Sequence, residues 1–395
     1  MSSDQSTDRA RITSEARRVV IKLGTAVLMR DDGRIALSRF YSFVEAIADL
    51  KRQGREVLIV SSGAIGLGAE RLGITRRAQL LPVKQALAAI GQGRLMSLYS
   101  DAFERLGITT AQVLLTEEDF SNRKRYLNLR GTLVKLIELG ALPIINENDT
   151  VSTAELESLD SAPRVKINFG DNDKLSALVA SKIEADLLVI LTDVEGLYTA
   201  DPGSSEEAAL IPLVEEITPE IEDLARGGSH PSRVGRGGIK TKLEAARIST
   251  RSGCAAVIAS GKLPGVITRV VAGEEVGTLF LPQPGLPGKR RWIAFATSVK
   301  AALVVNEGAR RALEERKGSL LAAGVLEVRG GFERGDVVSI IDEQEREFAR
   351  GIVNYSSAEA RKISGLRSDR IDELIENRSY DALITRDNIA FLEKR

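Results

Sequence analysis

RVVIKLG, residues 18–24, is a short β-branched run that ends on glycine and carries one lysine inside it. Beyond it, Phe40, Phe43, Val44, Ile47 and Leu50 recur at the three- and four-residue steps that line one face of a helix. EVLIV (56–60) is a second strand-like run, followed by SSGAIGLGAERLG. AQVLL (111–115), LPII (142–145), DLLVIL (186–191) and AAVIA (255–259) repeat the theme, with helical stretches between most of them. Strand alternating with helix predicts an α/β fold. Its mostly parallel, open sheet is covered by helices on both faces, an αβα sandwich.

The alternation stops at FLPQPGLPGKRRW (280–292), where three prolines and two glycines within 281–288 mark a boundary. Past it come shorter strand-like pieces, GVLEVRG, GDVVSIID and FARGIVNY, and one helical stretch near 307–317. A chain of 395 residues is too long for one comfortable core. The expected organisation is a disordered, frayed polar tail over 1–16 and an α/β domain over 17–280. A linker over 281–297 and a small, mostly β domain over 298–395 complete it.

Lys plus Arg equals Asp plus Glu at 55 each, which argues against a protein that coats nucleic acid or anionic membrane. Cys254 is the only cysteine, so no disulfide closes within the chain, as fits a reducing cytoplasm. His230 is the only histidine, which speaks against a Ser-His-Asp hydrolase or a multi-histidine zinc enzyme. The first residues lack the apolar stretch of a secretory signal, and no apolar run reaches the length of a membrane span. The reading is a soluble, cytoplasmic protein.

In open parallel sheets ligands bind beyond the carboxyl ends of the strands, and the unusual polar residues cluster there. Lys22 and Gly24 close the first run, Ser61, Ser62 and Gly63 follow the second, and NENDT (146–150) follows LPII. Thr192 and Asp193 follow DLLVIL, and GDND (170–173) opens the helix before it. Asp171, Asn172 and Asp173 admit three readings: helix caps, ligands of a divalent cation, or a grip on a polar substrate. A calcium loop fails, because position 12 counted from Asp171 is Lys182 and not glutamate. Lys22 either snorkels out of its strand or aims a cation at phosphate.

A second basic element is GSHPSRVGRGGIKTKLEAARIS (228–249), whose Gly235, Gly237 and Gly238 precede a helix with Lys240 and Lys242 in its first turn. Free amides and the helix dipole make such a junction an anion site. The Walker A pattern is absent. GLGAER (66–71) puts Arg71 where a dinucleotide fingerprint needs its third glycine. A phosphate site on a non-P-loop sheet remains.

These pieces together resemble the glutamate 5-kinases of the amino acid kinase superfamily. VVIKLGT, VSSGAIGLG, INENDTV, FGDNDKLSAL, LTDVEGLYTADP and GGIKTKLEAA carry the resemblance, in the family's order. The tail resembles a PUA domain in GVLEVRGGFERGDVVSI and ARGIVNYSS. The resemblance implies the amino acid kinase fold and transfer of the ATP γ-phosphoryl group, with Mg²⁺, to the side-chain carboxylate of L-glutamate, the first step of proline synthesis. It implies that Lys22 and Lys242 act on the moving phosphoryl group and that Asp173 holds both lysines. It places Ser62, Asp149 and Asn172 on glutamate, with Gly63, Asn146 and Asp171 beside them. Gly24, Thr192, Asp193 and the loop Arg236, Gly237, Gly238, Ile239, Lys240, Thr241 and Lys242 are placed on ATP. A homo-oligomer, inhibition by proline and channelling of product to the next enzyme of proline synthesis are expected on the same ground.

Two departures stand out. Arg236 occupies a place where the family commonly has threonine, and either adds a phosphate contact or points to solvent. AELESLDSAPRVKINF (154–169) is longer than expected between the two acidic motifs: a flap over glutamate, or a surface insertion. The rival readings are another amino acid kinase, for acetylglutamate, aspartate or UMP, and an RNA-binding protein working through the PUA domain. Residues 290–395 hold 19 Lys and Arg against 18 Asp and Glu, too balanced for strong RNA affinity. Arg361, Lys362, Arg367 and Arg370 form the one modest basic group and read as a solvated face.

Overall fold

The structure, a computed structural model, describes residues 3–74, 80–116, 118–121, 123–151, 172–202, 205, 207–227, 238–283, 293–294, 299, 301–316, 318–366 and 382–392. The chain divides into two units, Met1–Thr116 with Leu127–Gly285, and Glu117–Tyr126 with Leu286–Arg395.

Along the chain run α1 (Ser3–Ser14), β1 (Arg18–Leu23), α2 (Thr25–Leu28), α3 (Leu37–Arg52), β2 (Glu56–Ser61), α4 (Ala64–Leu72) and α5 (Leu81–Glu104). Then come β3 (Thr110–Leu115), α6 (Glu118–Ser121), α7 (Arg123–Glu138), β4 (Leu142–Glu147), α8 (Asn172–Lys182) and β5 (Leu187–Thr192). β6 (Leu213–Val214), α9 (Pro219–Gly227), α10 (Ile239–Arg251), β7 (Ala255–Ser260), α11 (Val266–Val271) and β8 (Thr278–Phe280) follow. The sheet order is β3-β4-β2-β1-β5-β7-β8-β6. β1 lies parallel between β2 and β5, so that Lys22 is level with Val60 and Ile190.

Every residue of β5 and β7 is buried, as the continuous apolar runs require of strands covered on both faces. Phe40, Phe43, Val44, Ile47 and Leu50, the periodic set of α3, all enter the core. β8 departs from the parallel rule by running antiparallel to β7. It is entered through Gly277 at φ +70°, where an added Cβ would sit 2.1 Å from the Ile258 carbonyl oxygen. Only glycine fits that turn.

The segment 1–16, expected as a frayed tail, contains α1, and the correction has a physical cause. Arg9 is 2% exposed and donates to the carbonyls of Pro212 at 2.9 Å and Val276 at 2.5 Å. Arg55 binds the carbonyls of Thr13 and Ala16 from the other side. A polar helix docks here through guanidinium-to-carbonyl bonds, which no hydrophobic pattern announces.

In the second unit β9 (Ala302–Val305), β10 (Val325–Arg329), β11 (Val337–Ile341), β12 (Glu347–Ile352) and β13 (Ile389–Phe391) form a separate sheet, ordered β10-β9-β11-β12-β13. β9 and β11 pair parallel and the other pairs are antiparallel. Leu303, Val305, Leu313, Val338, Ile340 and Ala349 fill its core. The helix Ser357–Ile363 starts on a capping box between Ser356 and Glu359. The expected linker, 281–297, is shorter than read: Leu281 and Gln283 still bond the first unit, at Val214 and Thr250, while Ile293 is buried beside Ile352 and Ala390 of the second.

Candidate active site

The site grows from the carboxyl ends of β2, β1, β5 and β4, and from the first turn of α8. Asp173, the second residue of α8, has no exposed surface. Its Oδ1 lies 2.5 Å from Lys22 Nζ and its Oδ2 lies 3.1 Å from Lys242 Nζ. Both lysines are 4% exposed. One buried carboxylate thus holds two ammonium groups from opposite sides, with a net charge of +1. Thr241 Oγ1 lies 3.1 Å from the same Asp173 Oδ2 and 2.9 Å from the Gly238 carbonyl.

Helix phase decides which lysine of the 236–242 loop takes part. α10 begins after Gly238, whose backbone is extended. Residues two apart on a helix stand about 200° apart around its axis, so Lys240 is exposed while Lys242 turns in to Asp173. Lys174 to Glu244 (3.4 Å) and Ser252 to Ser181 (2.8 Å) tie α10 to α8 along their length. Gly24 keeps the same end of β1 narrow: its amide bonds the Leu191 carbonyl at 3.2 Å. A Cβ there would lie 3.3 Å from Lys22 Nζ. Its contribution is the missing side chain beside the lysine, since its own amide serves the strand.

One residue before Asp173, the chemistry changes from charge to amide. Asn172 Nδ2 donates to the Ser61 carbonyl (3.1 Å), Ser62 Oγ (2.9 Å) and Asn146 Oδ1 (2.9 Å). The Glu147 amide also donates to Asn146 Oδ1, at 2.9 Å. A backbone N–H can only donate, which sets the orientation of Asn146 and, through it, of Asn172. Asn172 Oδ1 is then left as an acceptor, with no hydrogen bond among the described residues. Gly63 follows at φ 102° and opens α4, whose first amides lack helical partners and offer donors.

Ser61 is fully buried, and its Oγ lies 2.8 Å from the Tyr99 hydroxyl. Burial pushes the Tyr99 hydroxyl above its ordinary range, and the bond to Ser61 offsets only part of that, so the ring stays neutral.

The structure therefore joins Lys22, Asp173, Thr241 and Lys242 in one cluster and Ser62, Asn146 and Asn172 in another. Thr192 ends β5 and bonds Asp193 at 3.0 Å. Asp149 stands half-buried in the turn after β4. Ile239 opens α10 half-buried. Asp171, Arg236, Gly237 and the 154–169 segment lie outside the described residues. Gln92 and Tyr99 escaped the sequence reading as functional candidates, and Ser61 entered it only as part of the polar cluster at the strand end. The one signal was a polar pair seven residues apart on α5, Gln92 and Tyr99, and it belongs to no motif.

Among the described residues of the second unit, several arginines are paired. Arg329 bonds Glu327 and Glu345, Arg310 bonds Asp342, Arg334 bonds Glu359 and Arg350 bonds Glu347. Arg361 donates to the Gly330 carbonyl, while Arg367 and Arg370 lie outside the described residues.

Comparison with known proteins identifies the family. The amino acid kinase family model matches residues 17–260 and the PUA domain model matches residues 301–375. A glutamate 5-kinase of Caldanaerobacter subterraneus subsp. tengcongensis is 46% identical over 378 residues, covering 95% of this chain and 98% of its own. One of Pelobacter propionicus is 45% identical over 385 residues, covering 97% and 100%. One of Moorella thermoacetica is 46% identical over 380 residues, covering 96% and 97%. With these relatives matched over nearly its whole length and a PUA domain after the kinase domain, the chain belongs to the glutamate 5-kinase branch of the amino acid kinase family.

Proposed function

We propose that the protein transfers the γ-phosphoryl group of ATP to the side-chain carboxylate of L-glutamate, giving L-glutamyl 5-phosphate for proline synthesis. The observation that carries this is the buried Lys22–Asp173–Lys242 cluster beside the Asn172 clamp, in a chain so similar to glutamate 5-kinases. Phosphoryl transfer needs alignment and cancellation of charge more than covalent help. Both ammonium groups are pre-set by Asp173, so little reorganisation remains when the phosphates arrive.

The acceptor carboxylate is already ionised at neutral pH, so no general base is required. One carboxylate oxygen forms the new bond to phosphorus while the bond to the ADP oxygen breaks with its electron pair. No proton has to move. Asp173 cannot serve as a base in any case, because its two oxygens are engaged by lysines. On the substrate side, Asn172 Oδ1 and Asp149 are acceptors for the α-ammonium. Ser62 and the amides after Gly63 are donors for a carboxylate.

No group of three or more carboxylate, histidine or cysteine side chains that could hold a metal stands together among the described residues. Mg²⁺ commonly rides on substrate phosphates, and here we read it as entering with ATP, with Thr192, Asp193 and the 236–242 loop taking the nucleotide.

The domain reading is a kinase unit from 17 to about 283 and a PUA unit over the tail, whose balanced charge weighs against strong RNA binding. No helix among the described residues is long and apolar enough to cross a membrane. A cytoplasmic homo-oligomer that passes its product to the next enzyme completes the proposal, and light scattering after size exclusion tests the oligomer.

The test of function is ADP release from Mg·ATP with L-glutamate, N-acetylglutamate, aspartate and UMP offered separately, hydroxylamine trapping any acyl phosphate. Turnover with glutamate alone and a hydroxamate product is the expected result. Turnover with another acceptor instead overturns the substrate, and no turnover with any of them overturns the kinase reading.

A further inference from the structure

Helix α5 approaches the site with two polar side chains, Gln92 and Tyr99, seven residues apart and so on one side of the helix. Glycines bring it that close. A Cβ on Gly91 would lie 1.7 Å from the Ala64 carbonyl oxygen, and one on Gly68 2.0 Å from that of Leu87. α4 and α5 therefore meet backbone to backbone, just past the Ser62–Gly63 turn. From this position Gln92 Oε1 accepts from Asn146 Nδ2 at 2.9 Å.

The direction of that bond is settled by its neighbours. The Glu147 amide claims Asn146 Oδ1, so the Asn146 amino group faces Gln92, which must present oxygen. Three side-chain amides, Gln92, Asn146 and Asn172, thus run in one sense from α5 to α8. Gln92 Nε2, by contrast, is buried with no hydrogen-bond partner among the described residues. An apolar side chain of similar length would avoid that penalty. The residue is kept for its oxygen.

We propose that Gln92 is a positioning residue for glutamate. It holds Asn146, and through it Asn172, in the orientation that leaves Asn172 Oδ1 for the substrate ammonium. The inference rests on the placing of glutamate proposed above.

Steady-state kinetics of the full chain test it with Gln92→Met, Asn146→Ala and the double variant. Gln92→Met is expected to raise KM for glutamate about tenfold, the scale of one buried hydrogen-bond partner lost. KM for ATP and kcat should stay within about twofold. In the Asn146→Ala background the same change should add less than about twofold, because the two residues act in series. Gln92→Glu keeps an acceptor at the same reach and should hold KM for glutamate within about threefold of wild type.

A glutamate KM within twofold of wild type in Gln92→Met overturns the proposal, as does a tenfold effect that persists without the Asn146 amide. Should Gln92→Met melt far below wild type, Gln92→Glu decides alone: a stable enzyme with a tenfold higher KM overturns it too. If Asn146→Ala itself leaves glutamate KM unchanged, the substrate site is misplaced and the inference falls with it. If Asn146→Ala weakens glutamate and Gln92→Met does not, only the role of Gln92 falls.

Discussion

Asn172 and Asp173 are consecutive residues of one helix turn, yet they belong to different chemistries. Asp173 sits between two lysines and carries its whole role as charge. Asn172 sits in a neutral web of amides, hydroxyl and carbonyl. Successive helical positions point about 100° apart, so one turn of α8 can serve two partners at once. The charged side fits a phosphoryl group whose charge shifts during transfer, and its loss should appear in kcat. The neutral side fits the α-groups of an amino acid, whose charges the reaction leaves unchanged, and its loss should appear in KM.

The largest expected effect is at the centre of the charged side. Asp173→Ala strands two buried ammonium groups, and removing one member of a buried ion pair costs about 3–5 kcal/mol. Thermal melts should show that loss, and kcat should fall by ~10³ or more, since both lysines lose their anchor. A variant that melted like wild type would show that the lysines do not depend on Asp173.

Lys242→Ala should lower kcat roughly 10²–10³-fold with a much smaller change in glutamate KM. Lys240→Ala, two residues away and exposed, is the comparison and should leave kcat within about twofold, any loss falling on KM for ATP. The reverse pattern would reassign the phosphate ligand and break the contrast. Asn172→Ala should do the complementary thing, raising glutamate KM about 10- to 30-fold while kcat changes less, as for the loss of one or two substrate hydrogen bonds. Equal falls in kcat for Asn172 and Lys242 variants would erase the distinction between the two sides.

The smallest effect sharpens the contrast from outside, at a half-buried carboxylate. Glu359 is held at about 2, chiefly by its bond to Arg334, against an ordinary value of 4.5. A carboxyl lowered in the folded state stabilises it fully above about pH 4.5, and the contribution is lost as pH falls toward 2. Solvent screens such a pair, so Glu359→Gln should cost less than about 1 kcal/mol at pH 7. Urea unfolding should show that difference shrinking between pH 5 and pH 3. A cost equal to that of Asp173→Ala would mean that burial does not separate the two ion-pair classes.

Much of this was legible from residue order. The strands were readable because buried parallel strands are continuous apolar runs. Lys22 stood out because a lysine interrupts one of them. The Lys240–Lys242 ambiguity was visible but not resolvable, since it turns on where α10 begins. Gln92 and Tyr99 were invisible as site residues, because polar groups on a buried helix reveal a partner only when the partner's position is known. α1 was misread for a related reason: its docking bonds run from a guanidinium to carbonyls more than 200 residues away.

The sequence by itself determined the alternation of strand and helix and the identities of the charged groups at the sheet edge. These follow from periodicity and composition, which are local. Only the tertiary structure brought Lys22 and Lys242 onto one carboxylate, which the resemblance had only implied, and turned β8 antiparallel. It alone decided that three amides from α5, β4 and α8 align in one direction. Each of these depends on distances between segments far apart in the chain, and hydrogen-bond direction exists only once those segments have met.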